Sequence, residues 1–243
     1  MRALSTSKML SVWERASGRS AVERALVLLA AACPEQTLEE LARLSIGRRD
    51  RLLLSLREST FGPQLLGRIP CQKCGEALEL SFKVSDICVP ESLTVEAQVL
   101  KLDGYEIQFR LPDSLDLSAI SGCADVAEGY RLLLTRCLLS ITEGDEPGGS
   151  EDLPEHVREA VVKRMAEADP QGNVQLRLSC PACGHHWLAA FDILSYFWSE
   201  INAWAHRILR EVHTLAVAYG WSEEEILVMT PRRRRIYLEM IGG

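Results

Sequence analysis

Residues 8–60 space their apolar side chains three and four apart, the signature of amphipathic helices. In Ser20-Ala21-Val22-Glu23, the serine hydroxyl and the glutamate carboxylate can each satisfy a free backbone N–H of the other, a capping box. It predicts a helix from Ala21 to about Ala32. Thr37-Leu38-Glu39-Glu40 repeats the pattern before Leu41 and Leu44, and a further helix from about Arg48 to Ser59 ends at Phe61-Gly62-Pro63. Beyond residue 70 the period changes to two. Leu78, Leu80, Phe82 and Val84 alternate with polar residues, as do Val174, Leu176 and Leu178 on the way into the second cysteine pair, and Trp187, Ala189 and Phe191 fall at alternate positions on the way out. These are half-buried strands.

Between the two strand regions, Val95–Leu102 and Tyr105–Leu111 flank Asp103-Gly104, the dipeptide of a type I′ hairpin. The apolar phase slips at Val99-Leu100, which predicts a bulge or burial on both faces. A helix is expected from about Asp125 to Ile141, followed by an acidic mobile loop over 142–155, and Pro154 opens another helix that ends before Asp169-Pro170. Residues 192–219 carry the longest apolar stripe, through Leu194, Phe197, Trp198, Ile201, Ala205, Ile208, Val212 and Leu215. Gly220 stops that helix, Ser222-Glu223-Glu224-Glu225 caps a short one, and Thr230-Pro231 starts the last.

The expected fold is therefore α+β. A helical region over 1–63 and another over 193–243 surround two hairpins, 64–86 and 171–192, with an α+β subdomain at 87–170 inserted between them.

Composition changes this picture little. The chain of 243 residues is 47% hydrophobic and 25% charged, within the ordinary range for globular proteins. Its net charge of −7 argues against general nucleic-acid binding, which draws on many Lys and Arg to neutralise phosphates. The first residues lead into an amphipathic segment, without the apolar core of a signal peptide, and no apolar run is long enough to span a membrane. A reducing, cytoplasmic setting is expected, in which cysteine pairs read as metal ligands more readily than as disulfides.

The candidate chemistry lies at the tips of the two hairpins. Cys71-Gln72-Lys73-Cys74-Gly75 and Cys180-Pro181-Ala182-Cys183-Gly184 each present two thiols at knuckle spacing. Together Cys71, Cys74, Cys180 and Cys183 make the ligand set of a closed structural Zn2+ site, a split zinc ribbon. Closing the 105-residue gap between Cys74 and Cys180 costs about 4 kcal/mol in loop entropy, against about 10–16 kcal/mol from structural zinc. The alternatives are two unconnected turns or a redox pair, and neither pair opens a helix as a thioredoxin-like motif does. His185 or His186 could replace a cysteine, although four thiolates already fill a tetrahedral shell. Cys33, Cys88, Cys123 and Cys137 read as small apolar groups.

No open metal site, nucleophile with base, or phosphate loop is visible, so the chain reads as a non-enzyme with no small-molecule substrate. Arg48, Arg49, Arg233 and Arg234 stand out as exposed partner-binding positions, with Trp204, Trp221 and Tyr237 as aromatic candidates for an interface.

Three stretches carry a family resemblance: Ile46-Gly47-Arg48-Arg49-Asp50-Arg51-Leu52-Leu53 with Phe61-Gly62; the second knuckle with His185, Trp187 and Phe191-Asp192-Ile193; and Glu211-Val212-His213-Thr214-Leu215-Ala216 with Tyr219-Gly220-Trp221-Ser222-Glu223, Arg233-Arg234 and Tyr237-Leu238. On these the chain resembles baseplate proteins of T-even phages and their relatives in phage-tail-like contractile injection systems. The resemblance implies a structural or assembly role, with other baseplate, tube or spike proteins as partners. The rival reading is a zinc-ribbon nucleic-acid-binding or transcription accessory protein, motivated by the knuckles and the arginine clusters.

Overall fold

A computed structural model describes residues 4–89, 97–144, 146–149 and 153–242. In chain order the elements begin with α1 (Thr6–Ala16), α2 (Ala21–Ala32), α3 (Leu38–Ala42) and α4 (Ile46–Phe61). The first hairpin, β1 (Gln64–Pro70) and β2 (Ala77–Lys83), leads to α5 (Val84–Ile87). Then come β3 (Gln98–Leu102), β4 (Tyr105–Phe109), α6 (Ser114–Ile120), α7 (Val126–Cys137), β5 (Leu138–Glu143) and β6 (Glu146–Pro147). After α8 (Glu155–Ala168) and a 3-10 turn (Pro170–Asn173), the second hairpin is β7 (Gln175–Ser179) and β8 (His186–Ala190). The chain closes with α9 (Ile193–Tyr219), α10 (Glu223–Val228) and α11 (Pro231–Gly242). The protein is α+β, with all strand pairing antiparallel among the described residues.

Two compact units form: Met1–Glu35 with Ile193–Gly243, and Gln36–Asp192. The first is helical. The stripe of α9 is buried from Leu194 to Leu215, and Leu10 of α1 and Ile226 of α10 join Ile208, Val212 and Leu215 in one cluster. Trp13 Nε1 donates to Asn202 Oδ1 at 2.9 Å, and the Arg24 guanidinium lies 4.8 Å from the Trp198 ring, tying α1 and α2 to α9. The three sequence-expected capping boxes form at Ser20/Glu23, Thr37/Glu40 and Ser222/Glu225. Gly220, at φ +70°, ends α9.

In the second unit, β3-β4-β5-β6 make one sheet. Ile107, Phe109 and Ile141 of that sheet pack on Leu134 and Cys137 of α7 and on Val157, Val161 and Met165 of α8. The helix expected to reach Ile141 stops at Cys137. The short apolar stretch Cys137-Leu138-Leu139 fits helix or strand equally, and pairing decides: Ile107 lies opposite Ile141, which puts Ile141 in the core.

The bulge expected at Val99-Leu100 is absent. The β3–β4 register runs unbroken, Val99 stays exposed, and the irregularity falls between Gln108 and Phe109 on the β5 side. Part of the expected acidic mobile loop is ordered structure, because Thr142 pairs with Pro147, Gly148 N–H donates to Ile141 O and Leu153 is buried. Residues 145 and 150–152 of that stretch, and the start of the expected strand at Val95, lie outside the described residues.

Candidate metal centre

Each cysteine pair sits in the tight turn of its hairpin, and the two turns are built alike. Cys71 N–H donates to Glu76 O at 2.7 Å and Gly75 N–H to Cys71 O at 2.9 Å. In the second turn, Cys180 N–H donates to His185 O and Gly184 N–H to Cys180 O, both at 2.9 Å. Gly75 and Gly184 have φ of +77° and +68°, the left-handed conformation that reverses the chain after the second thiol. Open space surrounds both glycines, so the requirement is conformational and not one of room.

The turns bring all four sulfurs within 4.8 Å of one another. The closest approaches run between hairpins: Cys71 Sγ to Cys183 Sγ at 3.7 Å and Cys74 Sγ to Cys180 Sγ at 3.6 Å. The first cysteine of each turn thus meets the second of the other, an approximate two-fold arrangement. These distances are far beyond a disulfide bond of about 2.05 Å. They match the edge of a tetrahedron with metal–sulfur bonds of about 2.3 Å, which is about 3.8 Å. Cys71 and Cys180 are buried, while Cys74 is exposed and Cys183 half-buried, so the cluster opens to solvent on one side. Leu78 completes the buried floor, with Ile69 and Trp187 packed against it.

The thiols perturb one another in opposite directions. Burial works to raise Cys71, but N–H groups of Cys74 and Lys73 and the neighbouring thiols outweigh it and bring Cys71 down to about 7. The Glu76 N–H favours a Cys74 thiolate, yet the Cys183 thiol, burial and the thiols of Cys180 and Cys71 hold Cys74 up at about 12. One sulfur readily carries negative charge and the next resists it. Four thiolates at this spacing require a cation among them, and a soft divalent ion suits an all-sulfur donor set. The four side chains therefore fit a tetrahedral thiolate-bound metal.

His185 stacks on Trp187 with ring centroids 5.5 Å apart, and His186 is exposed on β8. The four-thiol cluster stands without either ring.

The arginine and aromatic candidates occupy varied settings, and two were misjudged as exposed. Arg49 is 4% exposed and its guanidinium pairs with Asp50, whose carboxyl burial pushes up to about 6 against the pull of Arg49. Arg234 is 2% exposed, with Nε on Glu211 Oε2 at 3.1 Å and Nη1 on Met229 O at 2.7 Å. Each is an internal tie within its own unit. A neighbouring acceptor decides this, and a run of arginines in sequence does not reveal it. Arg48 and Arg233 are exposed, and Arg233 lies 5.6 Å from the Tyr237 ring. Trp221 stacks on Tyr219 at 4.4 Å and meets Tyr237 edge-on at 4.8 Å; Trp204 packs against the α9 core.

Two further polar devices escaped sequence reading. Asp116, fully buried, takes a bidentate bond from Arg110 at 2.6 and 2.9 Å and another from Arg136 Nε at 2.8 Å. Burial alone would raise its carboxyl, but the Arg110 bonds, the Asp113 N–H and Arg136 hold it down at about 2. Asp113 and Asp116 also form the capping box of α6, and Asp113-x-x-Asp116 was the available sequence signal. The second device is Gly47, whose N–H donates to Asp169 Oδ2 at 2.7 Å at the start of α4. A Cβ there would lie 2.0 Å from Asp169 Oδ1, so only glycine allows this approach.

The fold and the cluster define a class: an α+β scaffold in which four thiols from segments distant in sequence come together. A family model described as T4 bacteriophage base plate protein matches residues 7–198, and the chain belongs to that family. The match takes in both cysteine turns and ends within α9, so the tail stretch from Glu211 to Leu238 lies beyond it. The family supports a structural role in a phage baseplate, in assembly with other tail components. No curated protein and no solved structure matches the chain. Among the described residues, no helix is long and apolar enough to cross a membrane.

Proposed function

We propose that the chain is a non-enzymatic baseplate component or assembly factor of a phage tail or contractile injection system, in which one structural zinc ion pins the two cysteine turns together. The observation that carries the zinc reading is the approach of the four sulfurs within 4.8 Å across a gap of 105 residues. Cys71, Cys74, Cys180 and Cys183 hold the ion, which supplies bonding and charge neutralisation and no chemistry. A four-thiolate shell leaves no position for water or substrate. The partners are other baseplate, tube or spike proteins, and the family match supports this direction.

The experiment has two arms. Elemental analysis of protein purified without added metal is expected to give one zinc per chain, lost in Cys180→Ser. Co-expression with neighbouring tail genes is expected to yield a complex by affinity capture. A metal-free, fully folded chain removes the zinc; a chain that binds no tail component removes the baseplate assignment. The nucleic-acid reading loses Arg49 and Arg234, which are buried and internally paired.

A further inference from the structure

Exposed apolar side chains are unevenly spread. Among the described residues, Val217, Tyr219, Val228, Ile236, Met240 and Ile241, six of the fifteen exposed large hydrophobics, fall within the last part of the chain. Val228 is 82% exposed and Met240 66%. Soluble monomers rarely concentrate apolar surface in this way, and such patches mark interaction sites.

This surface has two adjoining parts of opposite charge, both within the helical unit. One is a groove of about 780 Å³ between the start of α1 and α10, lined by Ser5, Ser7, Glu223, Glu224, Leu227 and Val228. Among the described residues, no basic side chain lines it. The other is the outer face of α11. Arg232, Ile236 and Met240 follow one another at four-residue intervals and lie on one line of the helix. Arg235 flanks that line, and Glu239 is the only acid beside it; all are exposed.

The two parts are fixed relative to each other. Buried Arg234 donates to Met229 O at the end of α10 and to Glu211 of α9, so α11 leaves the groove at a set angle. The lining of the acidic apolar groove ends at Met229, and the basic apolar ridge begins three residues later at Arg232. A two-fold axis through such a surface sets the groove of one copy on the ridge of another, and the reverse, in one step. That self-complementarity is the requirement of an isologous dimer.

We propose that this end of the helical unit is a docking surface for a second copy of the chain, with the Arg232–Ile236–Met240 ridge of each copy seated in the Glu223/Glu224/Val228 groove of the other. A second copy is the occupant because the chain itself supplies both complementary halves. The proposal does not depend on the metal or on the tail partners.

Sedimentation velocity on the full chain across a concentration series, at low and high salt, tests it. A dimer that loosens with salt is expected, since exposed charge pairs are screened. Arg232→Glu with Arg235→Glu should weaken pairing at least about tenfold, a loss of ~1.4 kcal/mol. Adding Glu223→Arg and Glu224→Arg to that variant exchanges both signs and should restore the dimer. Val228→Asp should give monomer at every salt concentration, and circular dichroism checks that each variant keeps its helix content. A chain that stays monomeric throughout overturns the proposal, as does a dimer indifferent to the charge reversal and to Val228→Asp.

Discussion

The helical unit and the Gln36–Asp192 unit both join segments far apart in sequence, and they do so by different physics. The first gathers the two ends of the chain along the α9 stripe, where Leu10, Ile208, Val212, Leu215 and Ile226 share one apolar cluster. Such burial is non-directional and spread over many contacts. Point contacts occur there too, as between Trp13 and Asn202, but in the second unit, beside its apolar core, they carry more: four thiols meet at one place, Asp116 sits between two arginines at another, and Gly47 meets Asp169 at a third. Distributed burial degrades gradually when one side chain changes. Point connections fail singly, and each answers to its own chemical agent.

The sharpest way to break this contrast is to remove the proposed zinc ion. Chelation, or Cys180→Ser, should cost the second unit most of its stability, since structural zinc contributes on the order of 10 kcal/mol. Hydrogen exchange should then show β1, β2, β7 and β8 losing protection while α9 keeps it, and Trp187 fluorescence should change. Equal loss in both units would show that they are not separable in this way.

Leu215→Ala acts on the other side of the comparison. Leu215 is fully buried, so truncation should cost about 2–5 kcal/mol and lower protection in the helical unit with zinc content unchanged. Gly47→Ala should cost about 3 kcal/mol, because the added Cβ collides with Asp169 and displaces its bond to the start of α4. Thermal melts read both.

Acid should separate the units again. The Asp116 carboxyl is held near 2 in the folded chain, below its unfolded value of about 3.9. The unfolded state therefore binds the proton first, and the stability this carboxylate provides is complete above about pH 4 and lost as pH falls towards about 2. Asp116→Asn should lower stability at neutral pH by about 2 kcal/mol and flatten that acid limb in pH-dependent urea melts. The smallest effect is expected at a cap: Ser20→Ala should cost about 1 kcal/mol in the same melts, by freeing the Glu23 N–H and dismantling the box.

Legibility in sequence followed spacing along the chain, and not the division into units. The α9 stripe, the three boxes and the Asp103-Gly104 turn rest on side chains a few residues apart, and each formed as expected. Asp103 and Gly104 both take positive φ, as a type I′ turn demands. The cysteine turns were legible for the same reason, since two thiols and a glycine within five residues define a knuckle. What failed depended on which partner came within reach in the fold, near or far in sequence. Leu138–Glu143 became a strand because β4 offered it a ladder, and Arg49 and Arg234 went inward because Asp50 and Glu211 were in reach.

By itself the sequence determined the helices with their caps, the two hairpins and the four thiols at their tips, because all of these depend on spacing along the chain. Only the tertiary structure decided that the thiols meet, that Cys71 faces Cys183 and Cys74 faces Cys180, and which arginines are internal ties. Those outcomes depend on which side chain lies within a few ångströms of another, whether one residue away, as for Arg49 and Asp50, 23 away, as for Arg234 and Glu211, or more than a hundred, as for the thiols. Periodicity carries no record of that distance, because it is set by the packing of whole elements.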